Sequence, residues 1–184
     1  MKKIISGICI AALLFSCNSE EKKAETSATD SKTETGKAPV EILNDSSFVA
    51  SSMAAFRAFE NKDVEGYTAN MDDNIMFRWS GGDSLAGKAA VKAYYTGRYN
   101  IIDNIKFSDH ISLPVMANAS PIATVPTGKW MLSWYRVDVK YKNGKAITFW
   151  AHNVQHYNDA GKMDIFNQYM DRHPIIEATK DLVK

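Results

Sequence analysis

The stretch TFWAHNVQHY, residues 148–157, sets His152 and His156 four positions apart among aromatic, β-branched and amide residues. Imidazoles ligate metals and move protons near neutral pH, so the spacing decides what this pair can do. On a helix, residues four apart are neighbours on one face, as shared metal ligation needs. On a strand they point the same way but stand about 13 Å apart, too far to share one ion. The period of the segment has to be read from its surroundings.

Those surroundings read as a β meander. Trp130–Tyr141 and Ala146–Tyr157 are rich in β-branched and aromatic residues, and Lys142-Asn143-Gly144-Lys145 lies between them. The Asn-Gly pair predicts a two-residue type I′ hairpin turn. Asp159-Ala160-Gly161 then turns into a third strand, Met163–Asp171. With Lys142 paired to Lys145 and Tyr157 to Lys162, Tyr135 is expected opposite His152, and His152 opposite Asn167. One face then carries Tyr135, Trp150, His152, His156, Asn167, Tyr169 and Asp171. The other carries Trp134, Arg136, Asn153, Gln155, Gln168 and Arg172. A slip of one residue would exchange the faces of a strand. The two histidines are therefore no shared metal site, and neither a metal nor a cofactor is expected.

Upstream lie helical periods. NDSSFVASSMAAFRAFENKD repeats Phe48, Met53, Phe56 and Phe59 near helical spacing, with Asp45 or Ser46 as cap. Val64–Met71 reads as a second short helix, and NIMFRWSGGDS as a strand holding Trp79 before a Gly81-Gly82 turn. GKAAVKAYYTGRY returns to helical period. Ile105–Leu113 reads as a strand ended by Pro114, and residues 114–128, with three prolines, as a loop or irregular edge strand. Helices followed by an antiparallel meander predict an α+β domain with helices on one sheet face.

The chain start has its own logic. Met1-Lys2-Lys3 precedes an apolar run, Ile4–Phe15, too short to span a bilayer as a mature helix. Leu14-Phe15-Ser16-Cys17 resembles a bacterial lipobox, which implies a signal peptide over 1–16 and a lipidated Cys17. Residues 17–40, rich in Ser, Thr, Lys and Glu, read as a disordered tether. That leaves one domain, 41–184, held at the cell envelope on its periplasmic or outer-membrane face. The only cysteines are Cys9 and Cys17, so the domain has no disulfide. A formal net charge of +1 supplies no field for nucleic acid.

The order ENKDVEGYTANMDDNIMFRW, GGDSLAGKAAVKAYY, then a meander ending HYNDAGKMDIFNQYMDR resembles the nuclear transport factor 2-like superfamily, in particular its SnoaL-like branch. The resemblance implies a cone-shaped α+β barrel, a curved antiparallel sheet wrapped around N-terminal helices, with an internal pocket. It also implies a homodimer through the outer sheet face, assigned here to Trp134, Arg136, Gln155 and Gln168. The pocket is expected to be lined by Trp79, Tyr135, Trp150, His152, Asn167, Tyr169 and Asp171.

Enzymes of this superfamily pair a carboxylate or histidine base with a hydrogen-bond donor for a developing oxyanion. By that resemblance His152 is the acid/base candidate, Asp171 or Asp83 its orienting carboxylate, and Tyr135 or Tyr169 the donor. The leading expectation is a membrane-anchored module binding a small apolar or amphipathic molecule in an aromatic pocket. A SnoaL-like isomerase, cyclase or dehydratase and a non-catalytic dimeric scaffold are the alternatives.

Overall fold

The computed structural model describes residues 36–120 and 122–183; the expected signal peptide, Cys17 and most of the expected tether lie outside them. Along the chain run β1 (Val40–Ile42), α1 (Ser46–Glu60), α2 (Val64–Thr68), β2 (Met71–Trp79), β3 (Ser84–Ala86) and α3 (Lys88–Tyr99). There follow β4 (Ile102–Ala117), β5 (Gly128–Tyr141), β6 (Ala146–Tyr157), β7 (Met163–Tyr169) and α4 (His173–Thr179). The seven strands form one curved, unclosed sheet in the order β1-β4-β5-β6-β7-β2-β3, with helices against it. The α+β fold class follows as expected. The sheet is nevertheless mixed, because β2 pairs with β7 in parallel.

Helix α1 starts where a cap is available. The Asp45 carboxylate accepts from the backbone N–H of Ser47 (3.1 Å) and of Phe48 (3.2 Å). The helix ends in a left-handed residue, Lys62 (φ 58°), whose ammonium donates to the Ile102 carbonyl at 2.7 Å. Its buried Phe56 packs on Phe107 and Tyr135, and Phe59 on Tyr67, Tyr95 and Tyr99. Each such aromatic contributes about 1.5–3 kcal/mol by leaving water, so α1 is the keel of the core.

Two local features set which side chains face that core. The first is the β5–β6 hairpin. Tyr141 N–H donates to Lys145 O and Gly144 N–H to Tyr141 O, leaving Lys142, Asn143 and Gly144 as a three-residue loop. Gly144 takes φ +85°, while Asn143 is not left-handed. The loop is thus a turn closed by a left-handed glycine rather than a type I′ turn. That one extra residue shifts the register: Tyr135 pairs with Ala151, and Trp134 with His152. The second hairpin keeps the expected parity, with His152 opposite Tyr169 and Asn153 opposite Gln168.

The second feature is a bulge in β4. Asp109 and His110 together oppose the single Tyr135 between the pairs Ser108–Arg136 and Ile111–Trp134, and Asp109 takes φ 52°. Such an insertion bends the strand and supports the curvature of the sheet. Strand β4 also runs through Pro114 instead of ending there. Pro114 accepts through its carbonyl from Leu43 N–H, just past β1. A residue's carbonyl and nitrogen point to the same side of a strand, so the missing N–H falls on that edge and costs β5 nothing.

Helix α2 is shorter than expected, because Met71 already belongs to β2. Strands β1 and β3 and helix α4 have no counterpart in the sequence-based expectation.

Candidate functional site

On the helix-facing side of the sheet, the odd residues of β5 and β6 and the even residues of β7 enclose a cavity of about 270 Å³. Phe56 and Phe59 of α1, Tyr94 and Arg98 of α3, and Ile175 and Ile176 of α4 close it from the other side. Ile176 is 55% exposed and Arg98 half-buried, so the lining includes residues of α3 and α4 that also touch solvent. Among the described lining residues there is no Asp, Glu or His. The only charged ones are Arg98 and Arg172.

A hydrogen-bonded chain runs across the cavity wall. Trp79 Nε1 donates to Gln168 Oε1 (3.0 Å), Gln168 Nε2 to the Tyr135 hydroxyl (3.1 Å), and Tyr135 to Asn153 Oδ1 (3.0 Å). An indole N–H can only donate, so this order of oxygen and nitrogen on both amides is the one that satisfies every group. Further along β6, Tyr157 donates to Gln155 Oε1 at 2.8 Å. Burial holds the Tyr135 phenol protonated, pushing its pKa up to about 12, while the bonds from Gln168 and to Asn153 pull the other way. Burial raises Tyr67, Tyr95 and Tyr157 as well. The wall therefore consists of neutral phenols and amides.

Of the residues expected in the pocket, Trp79 and Tyr135 line the cavity. Trp150, His152, Asn167 and Tyr169 do not; the shifted hairpin puts them on the outer face. There the His152 ring stacks between Trp134 (4.5 Å) and Tyr169 (5.8 Å), and His152 Nδ1 lies 3.1 Å from the Ser133 carbonyl oxygen. Trp150 is 55% and Tyr169 47% exposed. Asp171 accepts from His173 N–H at the start of α4, and Asp83 pairs with Arg172. Neither carboxylate orients His152, so His152, Asp171 and Tyr135 are not brought together. Gln155 and Gln168, expected on the outer face, face inward for the same reason, while Trp134 and Arg136 remain outside.

Sequence reasoning missed Asn153, Gln155, Arg98 and the α4 residues as cavity groups. Asn153 and Gln155 were lost with the register. Arg98 stands one turn after Tyr94 on α3, a spacing that could have marked it. His110 sits in the bulge against Phe56 (4.7 Å) and Tyr135 (6.1 Å), its Nδ1 buried without a partner. His156, also outside the cavity, bonds Asp164 Oδ1 (2.6 Å) and the Thr127 carbonyl (3.0 Å), fastening the β4–β5 loop. Among the described residues no cluster of His, Cys, Asp and Glu could hold a metal ion.

Neither a protein-family model nor a curated protein matches the sequence. Solved structures do match it. A nuclear transport factor 2-like protein of unknown function from Burkholderia pseudomallei is 16% identical with a TM-score of 0.55, over 71% of this chain and 95% of that one. A Xanthomonas campestris protein with the provisional designation polyketide cyclase is 15% identical with a TM-score of 0.58, over 74% and 98%. TerC, co-crystallised with polyporic acid, is 14% identical with a TM-score of 0.54, over 72% and 98%. At these identities the likeness is one of fold. The chain has the nuclear transport factor 2-like fold.

Proposed function

We propose that this protein is a small-molecule-binding protein of the SnoaL-like kind, tethered to the cell envelope through a lipidated Cys17, whose cavity holds an apolar or amphipathic ligand. The observation that carries this reading is the lining itself. It is a concave, mostly apolar hollow rich in aromatic rings, in which a few phenols and amides have fixed orientations, as ligand sites commonly are. A neighbour of the same fold was co-crystallised with polyporic acid, which fits a ligand-holding role for the hollow. The isomerase, cyclase or dehydratase alternative needs a proton-accepting group beside the ligand, and the described lining offers no carboxylate or imidazole for it.

A ligand that binds only the folded chain raises its melting temperature with concentration. The test is a thermal melt of the purified protein against a graded series of small aromatic probes. A rise that saturates, and that Val137→Trp abolishes by filling the hollow, supports the reading. Probes that leave the melt unmoved in the wild type refute it. For the anchor, Cys17→Ala is expected to move the protein from the membrane to the soluble fraction.

The outer sheet face is proposed as a homodimer surface, carried by Trp134 and Arg136 together with Trp150 and Tyr169. The exposed Trp150 and Tyr169, the half-buried Trp134–His152 stack beside them, and the Arg136–Asp138 pair supply the apolar and opposite-charge groups that a two-fold contact can match.

A further inference from the structure

Every charged group among the described lining residues is a cation, and three amides of the wall already accept a hydrogen bond each from within the protein. Asn153 Oδ1 accepts from Tyr135, Gln155 Oε1 from Tyr157, and Gln168 Oε1 from Trp79. Those amides keep N–H groups to offer to a ligand, besides one lone pair on each oxygen. The two guanidinium groups are not equivalent. Arg172 is paired with Asp83 and lies over the Trp79 ring, its charge largely answered within the protein. Arg98 has no carboxylate within ion-pairing distance among the described residues. It stands beside the Tyr141 hydroxyl, half-buried, on the last turn of α3.

A half-buried guanidinium without a counter-charge is a demand for one. A carboxylate can meet it with two parallel hydrogen bonds, and removal from water strengthens the pairing. The aromatic walls meanwhile take up an apolar body. We infer that the ligand is an anionic amphiphile, a small aromatic or aliphatic carboxylate whose head pairs with Arg98 of α3 and whose apolar part fills the hollow. The inference rests on the cavity being a ligand site and adds the charge of the ligand.

The discriminating probes share one ring system and differ in the head group: 2-naphthoate, 2-naphthylmethanol and 2-naphthylmethylamine, titrated calorimetrically into the purified full-length protein at neutral pH. Naphthoate is expected to bind about tenfold or more tighter than the alcohol, and the amine weakest. Arg98→Gln should weaken naphthoate far more than the alcohol and so remove the preference between them, and Arg98→Lys should restore part of it.

If the alcohol binds as well as naphthoate, the anionic assignment is overturned while the cavity remains a ligand site. If none of the three binds, the ligand-site reading falls and takes the inference with it. A preference for naphthoate that survives Arg98→Gln overturns Arg98 as the anchor. The comparison of probes on the wild type needs no variant to fold.

Discussion

The indole nitrogen of Trp79 donates to Gln168 Oε1 at 3.0 Å, and this bond sets the polarity of the cavity wall. Because the indole can only donate, the Gln168 amide must turn its nitrogen to Tyr135, and Tyr135 must send its proton to Asn153. Three residues on three other strands, β7, β5 and β6, are thereby oriented by one side chain of β2.

Breaking the middle of that chain should cost more than trimming its end. Gln168→Leu leaves the Trp79 N–H without its acceptor and is expected to cost about 1–3 kcal/mol in urea unfolding. Adding Trp79→Phe removes the stranded donor, so the double variant should lose less than the sum of the singles. Strict additivity would mean that the bond does not couple the two residues.

Alkaline stability follows from the buried phenols. An exposed tyrosine titrates near pH 10, whereas folding raises Tyr135 to about 12 and raises Tyr67, Tyr95 and Tyr157 too. Between those values the unfolded chain has released the proton that the folded chain keeps. The stabilisation is therefore fully present below about pH 10 and is lost as pH rises toward 12. Denaturant titrations across that window should show stability falling, with the tyrosinate absorbance of the buried rings appearing only together with unfolding. Absorbance that reaches the amplitude of all eight tyrosines while the chain stays folded would contradict the burial of these rings.

At the β5–β6 turn, Gly144 holds φ +85° with open space where a Cβ would stand. Gly144→Ala should therefore cost only the backbone term, about 1 kcal/mol, with Gly144→Asn milder. A loss of several kcal/mol would mean a packing role that the open space denies.

That glycine also explains how far the sequence could be read. The capped α1, the three-stranded meander and the inward Trp79 were legible from period and cap chemistry. The turn residues Asn143-Gly144 were read correctly as a hairpin, but an Asn-Gly pair serves both a two-residue loop and a three-residue loop closed by glycine. The difference is one residue, and it exchanges Tyr135's neighbour His152 for Ala151 and moves Trp150 and Tyr169 outside. The bulge at Asp109–His110 and the parallel β2–β7 pairing depend on contacts far apart in sequence, which no local pattern announces. Arg98 shares a helix face with Tyr94 by spacing, but only the folded sheet shows that this face of α3 borders a cavity.

The outer face supplies a separate test. Trp134, half-buried and stacked on His152, lies on the same face as the exposed Trp150 and Tyr169. Trp134→Glu should shift the sedimentation of the protein from dimer to monomer while its circular dichroism is retained. A wild type that sediments as a monomer at high concentration would end the dimer proposal.

The most direct measurement is mass spectrometry of small molecules released by denaturing protein purified from its own cells. The predicted result is a carboxylate-bearing apolar compound in near-stoichiometric amount, retained by the wild type and lost from Val137→Trp. A wild type that releases no such compound, and releases no more small molecules than the filled variant, would contradict the cavity as a ligand site.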